Sequence, residues 1–380
     1  MRTDVRTESE PAGQPQRPCL KPALRRAWRD RTTLQFGIGD AHTAVLESAT
    51  PADAAFLDLL DGTRELPALT AAAAGLGVDA DRVHRLLGEL RASEVLDDGG
   101  AQRPLLELPP RERARLAPDL AALSLAHPRP GAAPRLLLAR RRARVQVHGA
   151  GRVGAALAGV LAAAGVGQVQ VLDGGRVLDQ DSSPCGISPA DTGRPRAAAA
   201  RAALRRAAPD PPDQLAGRLR APDLVVLAPR GDASGLLPDP ALSQELMRSG
   251  TPHLYAGVLE TTGSVGPFVL PGQSACGHCL SLLRSDRDPA WPVLLAQHCS
   301  GRSGSVPACD TALATTVAGL AALHCLIYLD GGSPPSVGAR VEVSMVDGSM
   351  RRHRLGPHPD CGCCWASGTE GAWGDNDGSA

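Results

Sequence analysis

An α/β fold built on a mainly parallel sheet, preceded by a small N-terminal α+β domain, is what the sequence predicts. Three observations carry that prediction. From Arg144 onward, strand-like and helix-like patterns alternate, the order in which parallel sheets are wound. A glycine loop, Gly149-Ala150-Gly151-Arg152-Val153-Gly154, lies between the strand Arg144–His148 and a helical stretch. Two cysteine knuckles, Cys276-Gly277-His278-Cys279 and Cys361-Gly362-Cys363-Cys364, stand far apart toward the end of the chain.

At 380 residues the chain has room for two domains. Aromatic residues make up only 2%, so aromatic platforms for nucleic acid are not expected. The 40 basic and 40 acidic side chains cancel, which leaves no overall field to draw DNA or an anionic membrane. Residues 1–18 are polar and Pro-rich and read as a disordered segment, neither signal peptide nor anchor. That points to the cytoplasm, where the ten cysteines are expected as metal thiolates and free thiols. The apolar run Ala312–Leu329 contains Thr315, Thr316 and His324 and is expected to be a buried core helix rather than a membrane span.

Residues 19–98 form the first expected domain. Leu24–Arg29, Thr33–Ile38 and Thr43–Glu47 read as short strands, with a turn at Gly39-Asp40. Pro51 opens a helix with Ala55, Phe56, Leu59 and Leu60 at helical spacing, closed by Gly62. Further helices are expected over Glu65–Ala74 and over Asp81–Ala92, the latter burying Val83, Leu86, Leu87 and Leu90. Three strands followed by three helices make a winged-helix-like module. Its Leu59–Leu69 element, LLDGTRELPAL, resembles the peptide-clasping domains of the PqqD-like class. That resemblance implies a leader peptide added as a strand to Thr43–Glu47 and packed on the third helix, with main-chain hydrogen bonds supplying affinity. An inert or dimerising winged helix fits the same pattern. Residues 99–140 read as a Pro/Arg-rich linker with one helix near Pro118–Ala126, residues 141–365 as the nucleotide-binding domain, and residues 366–380 as a disordered tail.

Strand, G-x-G-x-x-G and helix in that order form a phosphate-binding context. Gly149 permits the turn, Gly151 lets backbone approach a phosphate, and Gly154 lets helix and strand pack closely. The helix N-terminus adds unpaired N–H groups and positive potential. The second strand, Gln168–Leu172, ends in Asp173, placed to grip a ribose hydroxyl. Loop and acid alone would suit an NAD-dependent dehydrogenase, but such an enzyme leaves the knuckles unexplained. Each C-x-x-C presents two sulfurs to one point, and Cys276, Cys279, Cys361 and Cys364 make a tetrahedral structural zinc set, with Cys363 a stand-in for Cys364.

The stretch Gly149–Val177, then Thr192–Ala197, Thr251–Val258 and Gly263–Leu280, resembles the ThiF/MoeB family, which shares its fold with ubiquitin-activating enzymes. The likeness spans about Arg144–Cys364. It implies a Rossmann-like sheet, a homodimer, and Mg-ATP-dependent adenylation of the C-terminal carboxylate of a small β-grasp protein or peptide. It assigns Gly149, Gly151, Gly154 and Asp173 to the nucleotide, with Arg196 in place of the family's phosphate-neutralising lysine. The chain departs from the family twice. Asp181-Ser182-Ser183-Pro184-Cys185 replaces an Asn and an Arg-Gln pair that contact phosphates. Pro229-Arg230-Gly231-Asp232 stands where the family has a magnesium-binding Asp, and a guanidinium cannot ligate magnesium. Two readings follow: an adenylyltransferase, or a scaffold that has lost ATP chemistry, holds a leader peptide and docks a peptide-modifying partner. Cys309, before Asp310 at a helix start, is either an ordinary thiol or a reactive one.

Overall fold

The computed structural model describes residues 16–209, 221–230, 240–300, 306 and 308–363. The chain divides into two units between Ala139 and Arg140.

In the first unit, β2 (Arg26–Trp28), β3 (Leu34–Phe36) and β4 (Ala44–Leu46) form an antiparallel sheet in that order, so β4 is an edge. Helices α1 (Pro51–Asp58), α2 (Leu66–Ala74) and α3 (Ala80–Ala92) follow, as the sequence pattern predicts. Thr50 and Asp53 cap α1 reciprocally, and Pro51 occupies its first turn, where a missing N–H costs nothing. Leu34, Phe36, Phe56, Leu57, Leu69, Val83, Leu86 and Leu90 close the core. Burying this many large side chains, each worth about 1.5–3 kcal/mol, is what holds so small a unit. Leu87, expected inside, is only partly buried against it.

Two short strands had no signal in the sequence: β1 (Pro18–Leu20) pairs antiparallel with β5 (Leu96–Asp98). The last residues of the segment expected to be disordered are held in place, because the Arg17 N–H donates to Asp98 Oδ1 and Pro18 enters a strand. The expected linker is also structured. It holds α4 (Pro110–Ala126) and α5 (Ala132–Arg142), with Leu105, Leu116, Leu123 and Leu137 forming a core of their own.

The second unit is a seven-stranded sheet. Strands β6 (Arg144–His148), β7 (Gln168–Leu172), β8 (Leu224–Leu227) and β9 (His253–Leu259) lie parallel in the order β7-β6-β8-β9. The sheet then continues antiparallel through β10 (Thr262–Val269), β11 (Ala339–Ser344) and β12 (Met350–Arg354). Helices α6 (Arg152–Ala163), α7 (Arg196–Ala207), α8 (Pro240–Arg248), α9 (Gly277–Arg287), α10 (Trp291–Ser300) and α11 (Thr311–Leu329) connect and cover the strands. Helix α6 is buried on nearly every side, not along one stripe, because its Ala and Gly residues join the same core as α11. Helix α11 alone among the described residues is long and apolar enough to cross a membrane, and half of that window is buried inside the protein.

Candidate functional site

The glycine loop has the geometry its spacing predicts. Gly149 adopts φ +109°, and a Cβ there would sit 2.0 Å from the Ala228 carbonyl oxygen. Only glycine tolerates both demands. A Cβ on Gly154 would lie 2.1 Å from the Gly149 carbonyl oxygen, so α6 rests directly against the turn that precedes it. Gly151 is the N-cap of α6 and has no side-chain partner for its first turn.

Asp173 stands at the end of β7, beside the loop. Its Oδ2 accepts the Ala150 N–H at 2.9 Å, and its Oδ1 accepts the Gly175 N–H at 2.8 Å and Arg196 Nε at 2.8 Å. Burial would raise its pKa, but the Gly175 and Ala150 amides and then the Arg196 guanidinium hold the carboxyl below the usual range. Arg196 opens α7 as expected. Its guanidinium also donates from Nη1 to the Arg176 carbonyl at 2.8 Å and lies 3.7 Å from Asp181 Oδ2. Gly149, Gly151, Gly154, Asp173 and Arg196 thus come together at one end of the parallel strands, where open α/β sheets take ligands.

The two departures meet at the same place. Arg230 follows the end of β8, and its Nε donates to Asp181 Oδ1, a close ion pair with a buried carboxylate. The Cβ and Cγ of Arg230 lie 3.4 and 3.5 Å from where a Cβ of Gly151 would be. The stem of Arg230 thus lies in van der Waals contact with the position that a Gly151 side chain would occupy. The described residues do not fit the magnesium of Mg-ATP in this arrangement: Asp181, the one carboxylate lining the cavity among them, is already paired with Arg230. Asp232, the sequence's remaining metal-ligand candidate, lies outside the described residues. A cavity of about 130 Å³ remains beside the loop, bounded by Gly151, Arg152, Asp181, Arg230, Gly257 and Cys309. Arg152 ties its wall together by donating to the carbonyls of Gln180 (2.8 Å) and Cys309 (2.7 Å) and to Thr311 Oγ1 (3.2 Å). Sequence reading placed Asp181 only as a departure; its role as the counter-charge of Arg230 is set by the fold.

The cysteine knuckles converge. The sulfurs of Cys276, Cys279, Cys361 and Cys363 lie within 4.8 Å of one another. Cys276 is 3.5 Å from Cys361, and Cys279 is 3.3 Å from Cys363. Tetrahedral zinc with bonds of about 2.3 Å would space four thiolates about 3.8 Å apart, so the donor set fits the ion. Gly362 at φ +71° folds the chain so that Cys361 and Cys363 point at one spot. Cys363, the expected stand-in, is the fourth sulfur of the cluster among the described residues; Cys364 lies outside them. The Cys276 thiol donates to Cys279, holding Cys279 down at about 4 and pushing Cys276 up, while burial pushes Cys361 up to about 12. The His358 N–H also donates to the Cys279 sulfur at 3.3 Å, and His358 Nε2 meets Asp286 at 2.9 Å. These contacts support the cysteine sulfurs from outside the cluster.

In the first unit, the outer edge of β4 has no partner strand among the described residues. A second feature lies on α3: a cavity of about 90 Å³ bounded by His84, Leu87, Gly88 and Arg91 together with Pro18, Leu66 and Leu96.

No curated protein sequence matches this chain. The structure of E. coli MccB with AMPCPP and MccA superposes with a TM-score of 0.65 at 14% identity, covering 91% of this chain and 99% of MccB. The microcin C7 biosynthetic enzyme MccB in complex with N-formylated MccA gives 0.63 at 14%, with the same coverage. The heterocyclase TruD gives 0.59 at 18%, covering 92% of this chain but only 43% of TruD. Residues 132–364 match the ThiF family, well over half of the sequence. With the glycine loop, the acid after β7 and the sulfur cluster all on this fold, the chain belongs to the ThiF family.

Proposed function

We propose that this chain is a peptide-binding ThiF-family scaffold. In this reading its nucleotide cradle is latched by its own side chains, and the protein presents a leader peptide to a partner enzyme instead of adenylating it. The observation that supports this reading is Arg230, whose stem crosses Gly151 while its guanidinium pairs with buried Asp181. Adenylyl transfer needs cations and a metal directed at phosphate, whereas here two arginines are directed at two carboxylates. The exposed edge of β4 supports the peptide-binding half, since an edge strand can receive an extended segment. The fold shared with MccB, solved with MccA, and with the heterocyclase TruD is consistent with a peptide as the macromolecule handled.

The adenylyltransferase reading keeps one observation in its favour. The loop geometry and Asp173 are intact, and a cavity still reaches Cys309. In that reading Arg230 swings away, Mg-ATP enters, and the C-terminal carboxylate of a β-grasp protein or peptide is activated by a homodimer.

ATP–pyrophosphate exchange with candidate acceptor peptides separates the two. The scaffold reading expects measurable peptide affinity and no exchange above background. Peptide-dependent exchange would establish the enzyme instead.

A further inference from the structure

We propose that the antiparallel end of the sheet carries a binding site for a small oxyanion, carboxylate or phosphate, formed by Arg284, Arg340 and Trp291. None of these residues borders the glycine cradle. Arg284 lies on α9, Trp291 begins α10, and Arg340 lies on β11. On β11, Ala339, Val341 and Val343 are buried in alternation with less buried Arg340 and Glu342, so the two charged residues share the opposite face.

Four N–H-bearing atoms here are buried and have no acceptor: Arg284 Nη1, Arg340 Nε, Arg340 Nη1 and Trp291 Nε1. They belong together. The Arg284 guanidinium stacks 4.7 Å from the Trp291 ring centroid, and the Arg340 charge acts directly on Arg284. Burial, then repulsion from Arg340, lowers Arg284 to about 10. The acid in reach is Glu342, which already pairs with Arg340 Nη2 and, at 3.0 Å, with His353 Nε2. Arg287 adds a further positive charge, and Arg351 stands opposite Glu342 in the strand register.

Buried donors without acceptors are costly, and charged ones most of all. Two guanidiniums of like charge whose buried donors lack acceptors present the donor set that an oxyanion would satisfy. An anion seated between them would accept from all three residues and supply the charge that Glu342 alone does not. Arginine is suited to this because its planar donors match oxyanion geometry.

The test uses the full chain, with heat measured on titrating sodium phosphate or sodium acetate into protein at constant ionic strength. Saturable binding of at least one anion is expected, and whichever binds more tightly identifies the ligand as phosphoryl or carboxylate. Arg284→Met and Arg340→Met should each weaken it at least tenfold, and Trp291→Phe several-fold while leaving the packing. Arg201→Met, an exposed position on α7 that borders neither site, should leave it unchanged. Should Arg284→Met fail to fold, Arg284→Lys keeps the charge but loses the fork and should still bind more weakly. Absence of saturable binding by wild type would overturn the proposal, as would binding kept at full strength in both Arg284→Met and Arg340→Met.

Discussion

Replacing Arg230 and Asp181 together should open the nucleotide cradle. For a phosphate to reach Gly151, the arginine stem must leave, and its guanidinium must part from a carboxylate that is only 2% exposed. Stripping one partner from a buried ion pair costs about 3–5 kcal/mol, because the remaining charge is left unpaired. Arg196 Nη1, 3.7 Å away, already serves Arg176 and Asp173 through its other contacts and offers little compensation. At 1.4 kcal/mol per factor of ten, such a latch would suppress nucleotide affinity roughly 10²- to 4 × 10³-fold. Arg230→Ala with Asp181→Asn removes both charges and the stem, so AMPCPP affinity should rise by about that factor in titration calorimetry. Arg230→Ala alone should gain less, since Asp181 would then face the phosphates. Wild-type protein that binds the nucleotide as tightly as the double variant would refute the reasoning.

The other expectations are more local. Purified protein should carry one zinc, and chelation should remove a large part of its thermal stability, since structural zinc contributes about 10–16 kcal/mol of apparent binding free energy; by metal analysis, Cys363→Ser should lose the ion and Cys364→Ser should keep it. Gly154→Ala pushes a methyl to 2.1 Å from a backbone oxygen, and should destabilise by about 3 kcal/mol, the upper end of overpacking costs, seen as a lower urea midpoint. Val45→Pro, on the edge strand β4, should abolish leader-peptide binding measured by fluorescence anisotropy while leaving the melting curve of the protein nearly unchanged. Burial depresses the pKa values of His253 and His324, so the unfolded chain binds protons that the folded one refuses. Stability should therefore be full above about pH 6.5, the unfolded value, and fall as acid carries the pH down toward the folded values. His324→Gln should flatten that part of a melting-temperature profile.

Local chemistry was legible. The strand, glycine loop and helix, the acid ending β7, and the helices of the first unit all stand where periodicity and turn residues put them. Elements held by distant partners were not. Strands β1 and β5 are three residues each and pair across most of the first unit, so neither has a pattern long enough to read. Helix α4 runs through Pro118, which sequence rules treat as a boundary. The sulfur set shows the same limit on a smaller scale. Spacing favours Cys364, but the left-handed turn at Gly362 brings Cys363 into the cluster, and a turn's conformation is set by what closes around it.

The cradle makes the strongest case for reading charges in pairs. Taken singly, Arg196 looks like a phosphate ligand with altered reach, and Arg230 like a lost metal ligand. Folded, Arg196 holds Asp173, Arg230 holds Asp181, and Asp181 lies between the two arginines. The four charges sum to zero, so an incoming triphosphate meets no net attraction from them, and each arginine it recruits frees a buried carboxylate that repels it. The latch is therefore electrostatic as well as steric. A reversal such as Arg230→Asp would set a second carboxylate, just after β8, opposite Asp181, a pair of oxygen donors of the kind magnesium accepts. Magnesium-dependent nucleotide binding by that variant, absent without the metal, is what the charge argument requires; binding indifferent to magnesium would mean that only the arginine's bulk had mattered.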